Sequence, residues 1–151
     1  MKTVCIFILN VIVGLSSQTV NCAHLNDLRL MMEWHIINGT PPECNNLLCF
    51  MEEFTDMGNN VEYMESANEL LFALLEHFPK HTIVAISEVS KQQKEFIYAE
   101  LSKPIHDGID ISVIYNKLKL CKFKKVKHKL VLKRIENVLL PLIEYYSMHK
   151  D

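Results

Sequence analysis

Apolar side chains recur every three or four residues along most of this chain, which is the spacing of one face of an α-helix. The clearest run lies between Val61 and Phe78, where seven apolar residues follow this interval. Many tight β-turns are disfavoured because the 151 residues include only four glycines and five prolines. We therefore predict an all-α fold in a single domain.

Turn-forming residues divide the periodic pattern into separate helices. Asn38 and Gly39 end the first, and Pro79 stops the third. Thr82 is a candidate N-cap for a fourth helix that continues to Leu101. The predicted helices cover about 25–38, 47–57, 61–78, 82–101 and 126–148, and the extra short segment 111–120 is either helical or extended. Pro141 should kink the last helix, whose predicted buried residues are Leu130, Leu132, Ile135, Val138, Leu139, Leu142 and Tyr146.

The N-terminus has the layout of a secretory signal peptide. Lys2 precedes an apolar run from Val4 to Leu15, and a short polar tail follows. The run is shorter than the roughly 20 apolar residues that cross a bilayer, and no later segment is longer, so no stable membrane insertion is expected. We predict a signal peptide over residues 1–22, with Ser17 as an alternative cleavage point, and a secreted helical domain over 23–151.

Four cysteines, Cys22, Cys44, Cys49 and Cys121, are candidates for disulfide bonds. Cys44 and Cys49 are five residues apart, which turns a helix by about 140°, so the two thiols should have different partners. Cys121 is the natural partner of one, and Cys22, if it survives cleavage, of the other. Cleavage after Cys22 leaves an odd number of cysteines, which predicts a free thiol or a disulfide-linked dimer.

Catalytic patterns are sparse. His77 and His81 have the four-residue spacing of a metalloprotease motif, but Pro79 between them breaks the helical register that such a motif needs. His106, Asp107 and Gly108 are typical of a solvated turn. No glycine-rich phosphate loop and no serine elbow occur in the sequence. We expect no enzyme activity, no metal and no cofactor.

Charge is distributed unevenly along the chain. No lysine or arginine lies between Arg29 and Lys80, whereas the stretch from Lys117 to Arg134 is rich in basic residues and has no acidic one. Outside the cell such a stretch is typical of a site for a glycosaminoglycan or an acidic receptor, and export argues against nucleic acid. The basic residues chosen as candidate receptor contacts are Lys124, Lys125, Lys127, Lys133 and Arg134.

A modification site is also present. Asn38, Gly39 and Thr40 form the only acceptor sequon for N-glycosylation that we identify. An exported chain would expose this sequon to the glycosylation machinery. Asn38 is therefore the candidate glycosylation site.

The segment from Glu43 to Glu53, which contains Cys44 and the phrase Leu48-Cys49-Phe50, resembles the start of the second helix in short-chain four-helix cytokines. The interleukin-2/15/21 group and the interleukin-5/granulocyte-macrophage factor group are the similar families. The final stretch, Cys121 followed by a basic and then leucine-rich helix, is similar too. The resemblance implies an up-up-down-down four-helix bundle, with a disulfide from the second helix to the region of Cys121.

The same resemblance implies a ligand of a cell-surface protein receptor that modulates immune cell signalling. In such a ligand, Asp27 or Glu33 on the first helix, flanked by apolar residues, would form a small receptor hot spot. The basic residues before and within the last helix would steer the encounter with an acidic receptor or matrix sugar.

Two other functions are open. Trp34, the segment Phe54–Asp56, Val61 and the pair Glu69-Leu70 loosely resemble poxviral Bcl-type immune-evasion proteins, which are helical bundles of similar size. Alternatively, the chain is a secreted carrier of a small apolar ligand. Its cavity would then be lined by methionines at helical spacing, which are Met31, Met32, Met51, Met57 and Met64.

Overall fold

The computed structural model describes residues 25–56, 61–105 and 108–148. These ranges contain seven helices and no strand, which confirms the all-α prediction. The predicted signal peptide, Cys22 and Met57 lie outside the described residues. The helices are α1 (Leu25–Asn38), α2 (Cys44–Asp56), α3 (Val61–His77), α4 (Pro79–Glu88), α5 (Lys91–Leu101), α6 (Ile111–Lys119) and α7 (Val126–Met148).

Helix α4 lies at the centre and packs against α2, α3, α6 and α7. Its position follows from its composition, because Ile83, Ala85 and Ile86 have no exposed surface. The surrounding helices contribute further buried residues, such as Phe50 and Phe54 on α2. Seven helices, with α4 at the centre, do not confirm the predicted up-up-down-down arrangement of four.

The start of α4 differs from the prediction. Pro79 is its first residue, a position where the missing N–H of proline costs nothing. Thr82 is not an N-cap but a fully buried residue of the second turn. Its hydroxyl lies 3.0 Å from the carbonyl oxygen of Leu74 and 2.9 Å from that of Phe78, to which it can donate. Through this hydroxyl, Thr82 connects α4 to the end of α3. Only Phe78 separates the two helices.

The predicted fourth helix is in fact two helices. Val89 and Ser90 have extended backbone angles that end α4 and precede α5. Ser90 and Gln93 form a capping box, in which the Gln93 N–H donates to Ser90 Oγ at 3.2 Å and the Ser90 N–H donates to Gln93 Oε1 at 3.0 Å. These two bonds stabilise the start of α5, so the chain can change direction without a glycine or proline.

The short segment after residue 108 is helical. Asp110 caps α6, because its carboxylate accepts a hydrogen bond from the Val113 N–H at 3.1 Å. Helix α7 follows with Pro141 inside it, as predicted.

The buried face of α7 differs from the predicted one near both ends. His128, Val131, Ile135 and Leu139 are buried, whereas Leu132, Val138 and Leu142 are partly buried. Leu130 is 63% exposed and Tyr146 is 40% exposed, so their predicted burial is wrong. In the first turns of α7, the side that faces the core includes the buried His128. A pattern built from apolar residues alone does not include histidine, so it did not predict this face.

Candidate interaction surfaces

The α1 outer face consists of three large exposed apolar side chains, Leu30, Trp34 and Ile37. They follow one another at intervals of four and three residues, so they lie on one side of the helix. Leu30 and Trp34 are each 56% exposed, and Ile37 is 83% exposed. The opposite side of α1 supplies Leu28 and Met32 to the core, with exposures of 1% and 0%. The outer face is therefore not needed to build the fold.

The two acidic candidates on α1 differ in environment. Asp27 is exposed and lies one turn before Leu30, on the same side. Glu33 is partly buried, and its Oε1 is 3.6 Å from the Nε of Arg29. Arg29 also donates from Nη1 to the hydroxyl of Ser66 at 3.1 Å. Glu33 therefore contributes to the contact between α1 and α3, and Asp27 is the more available of the two.

A groove of about 340 Å³ continues the α1 outer face towards α3. Ile36 and Ile37 line it from α1, and Leu70 and Ala73 line it from α3. Glu33, Ser66 and Glu69 add polar atoms to the same lining. The groove thus combines an apolar lining with a few polar groups, and it shares Ile37 with the α1 outer face.

The five basic candidates are all exposed, but two of them form ion pairs with acidic side chains. Lys127 Nζ lies 2.6 Å from Oε1 and 2.7 Å from Oε2 of Glu88. Arg134 lies 3.7 Å from the carboxylate of Glu95 and stacks over the Tyr98 ring. Lys124, Lys125 and Lys133 form no ion pair with any residue that the structure describes. Only part of the basic stretch is therefore available to a partner.

Two aliphatic residues lie between the available lysines. Val126 is 69% exposed and Leu130 is 63% exposed, and their spacing of four places them on one side of α7. Lys129 and Lys133 have the same spacing and are exposed beside them. Sequence reasoning missed this combination because it assigned Leu130 to the core.

His128 is the buried neighbour of this surface. Its ring packs edge-to-face against Phe123, with centroids 5.4 Å apart, and its Nε2 lies 4.0 Å from Glu88 Oε1. Burial, with help from Lys125 and Lys127, lowers the pKa of His128 below its ordinary value. The hydrogen bond from Lys127 lowers the pKa of Glu88. The start of α7 is thus attached to the end of α4 by a charged cluster.

The cysteines differ from the predicted pairing. Cys44, exposed at the start of α2, and Cys121, buried after α6, are both free thiols. The predicted bridge from the second helix to Cys121 is absent, because α2 packs on α1, α4 and α5 while Cys121 follows α6. Cys49 is buried on α2.

A groove of about 560 Å³ lies beside Cys121. His77, Lys80, His81 and the ion pair of Lys117 with Glu76, 3.1 Å apart, contribute to its lining. Burial raises the pKa of the Cys121 thiol, so the reactive thiolate is disfavoured. Across residues 25–56, 61–105 and 108–148, no group of three histidine, cysteine or acidic side chains could hold a metal ion.

The remaining candidates are Asn38 and the methionines. Asn38 is exposed, and its side-chain amide donates to the Trp34 carbonyl oxygen at 2.8 Å. Gly39 follows with a φ of 64°, which ends α1 in the left-handed conformation. Met32, Met51 and Met64 are buried within the core, and no methionine lines either groove described above. The described structure thus uses these methionines as packing residues.

No family model matches the sequence, and neither the curated proteins nor the solved structures contain a match. Among the helices of the described ranges, none has the length and apolar character required to cross a bilayer.

Proposed function

We propose that this protein is a secreted, cytokine-like ligand that binds a cell-surface receptor and modulates immune cell signalling. The α1 outer face is the receptor-contacting surface in this proposal. The observation that carries it is the grouping of Leu30, Trp34 and Ile37 on one exposed side of a helix whose other side is buried in the core.

The chemistry of this face suits a protein partner. Tryptophan is enriched among residues that dominate binding energy, because its large ring loses contact with water when it enters a pocket. Asp27 is an exposed charge at the edge of this apolar contact, where it would orient the receptor on the α1 outer face. The groove between α1 and α3 could receive an apolar side chain of the receptor.

In an exported chain Cys49 would pair in a disulfide, because disulfides form in oxidising compartments and are rare in reducing ones. Cys5 and Cys22 are the only cysteines left to pair with it, and Cys5 falls inside the predicted signal peptide. We therefore propose cleavage after Ser17 and a Cys22–Cys49 disulfide in the mature chain. The exposed thiol of Cys44 would then be available to form a disulfide-linked dimer, and Asn38 to carry a glycan.

The receptor proposal is tested with the secreted protein, fluorescently labelled, on immune cells. Saturable binding that is lost after mild protease treatment of the cells is expected for the wild type. The Trp34→Ala variant should bind at least about tenfold more weakly, which is the scale of a hot-spot truncation. Val113→Ala, at a residue that is 38% exposed on α6, is the matched control and should bind as the wild type does.

Two outcomes would contradict the proposal. The first is wild-type protein with no saturable, protease-sensitive binding to any immune cell type. The second is equal binding by Trp34→Ala and the wild type, with both shown to be folded. Non-reducing peptide mapping of the secreted product tests the Cys22–Cys49 pair separately, since a free Cys49 thiol would contradict it.

A second candidate function is that of a Bcl-type immune-evasion protein, which would act on an intracellular partner. The seven helices of the described residues, with α4 at the centre, favour this candidate, because a four-helix cytokine needs fewer helices. The two candidates differ in location. Retention in the cytosol with an intact Met1 and alkylatable thiols at every cysteine would favour the Bcl-type function over the receptor ligand.

A further inference from the structure

We infer that the α7 outer surface, formed by Val126, Lys129, Leu130 and Lys133, docks on the surface of an anionic phospholipid bilayer. This inference goes beyond the receptor ligand proposed above. It concerns a different helix, since α7 packs on α4, α5 and α6 whereas α1 packs on α2 and α3.

The first argument is geometric. Val126 and Leu130 lie one turn apart on the side of α7 that faces away from the core, and Lys129 and Lys133 run parallel to them. On the opposite side of the same turns, Val131 and Ile135 are buried in the core. The surface therefore belongs to a helix that is already packed on the core. Binding a partner does not require any further segment to fold.

The second argument is electrostatic. Lys129 and Lys133 form no ion pair with described residues, and exposed Lys124 and Lys125 add charge in the turn before α7. Two acidic side chains near this region, Glu88 and Glu95, are paired with Lys127 and Arg134, and Glu136, one turn after Lys133, is partly buried. No acidic residue occurs between Lys117 and Arg134. The outer surface therefore retains its positive charge, which complements an anionic partner.

The combination with aliphatic side chains selects the class of partner. A sulfated sugar or a nucleic acid would engage the lysines but would leave Val126 and Leu130 in water. An anionic bilayer accommodates both, because lysine ammonium groups meet the headgroups while short aliphatic chains enter the boundary below them. Such docking lies on the membrane without spanning it, and it is weakened by salt because exposed charges are screened.

The test measures binding of the purified mature protein to sedimenting vesicles. Vesicles of phosphatidylcholine with one third phosphatidylserine should bind the protein, and vesicles of phosphatidylcholine alone should not. High salt should release the bound protein. The paired variant Lys129→Ser/Lys133→Ser should bind the anionic vesicles about tenfold more weakly.

A second paired variant separates lipid from other polyanions. Val126→Ser/Leu130→Ser keeps every charge, so it should bind anionic vesicles at least about fivefold more weakly yet elute from heparin at the salt concentration of the wild type. Matched controls are Lys91→Ser on α5 and Val113→Ser on α6, both at exposed positions, and neither should change vesicle binding. Thermal unfolding followed by circular dichroism confirms that each variant is folded.

Two results would overturn the inference. One is equal binding of the wild type to the two kinds of vesicle. The other is a Val126→Ser/Leu130→Ser variant that binds anionic vesicles as well as the wild type does, which would make the surface a general polyanion site such as one for heparin. Neither result bears on the Trp34 experiment, so failure of the membrane inference and failure of the receptor proposal are distinguishable.

Discussion

Helices α4 and α1 use similar residues for different purposes. Both are rich in isoleucine and other large apolar side chains, but in α4 those of Ile83 and Ile86 are completely buried. In α1, Ile37 is the most exposed large apolar residue of the described chain, and Leu30 and Trp34 accompany it. The apolar residues of α4 are explained by the core alone. Those on the outer face of α1 contribute little to the fold, and an external partner is the physical reason to propose for them.

The largest expected difference between the two helices is in stability. Ile83→Ala removes a side chain from the packed centre and leaves a cavity, so it should lower the free energy of unfolding by about 3 kcal/mol. Ile37→Ala removes the same atoms from an 83% exposed position and should change it by less than about 0.5 kcal/mol. Urea unfolding of both variants, followed by circular dichroism, measures the contrast. Similar losses would mean that the α1 outer face contributes to the fold.

The sequence predicts the helices better than it predicts their faces. The bounds of α1, α3 and α7 agree with the predicted helices because Gly39 and Pro79, among others, mark the ends in the sequence. The break between α4 and α5 was missed since Val89 and Ser90 are neither glycine nor proline. The spacing of Ser90 and Gln93, a serine with a glutamine three residues later, was the available signal.

The surfaces were predictable only in part. Exposure of Asp27 and of the basic stretch follows from charge and helical period. The pairing of Lys127 with Glu88 joins residues 39 positions apart, and no local pattern indicates it. Leu130 is exposed because His128 occupies the core-facing side of α7. That arrangement depends on tertiary packing and not on the local sequence. The free thiol of Cys121 likewise depends on which helices lie next to α6.

A smaller effect on the free energy of unfolding is expected at the exposed end of α4, where acid should destabilise the fold. Burial keeps the pKa of His128 below its ordinary value of 6.5, so the unfolded chain takes up a proton there first. The lowered pKa of Glu88 acts in the same direction below its ordinary value of 4.5. Stability is thus complete above about pH 6.5 and is lost as pH falls through the folded-state values of the two groups.

Thermal unfolding at a series of pH values measures this acid dependence. His128→Phe removes the titrating ring from the cluster and should flatten the dependence between the two ordinary values. Lys127→Met removes the partner that lowers the Glu88 pKa and should reduce the loss of stability at more acidic pH. A wild-type midpoint that does not fall between pH 7 and pH 5 would contradict the environment assigned to His128.

The smallest expected effect is a change in the fluorescence of Trp34 on α1, which is the only tryptophan of the chain. Because Trp34 is 56% exposed, its fluorescence in the folded monomer should be red-shifted and readily quenched by iodide, with little further change on unfolding. A partner that covers the α1 outer face should shift the emission to the blue and protect it from iodide. Addition of the anionic vesicles should leave it unchanged, since they engage α7. A shielded Trp34 in the free monomer would show that the face is already covered, and the contrast between α1 and α4 would then fail.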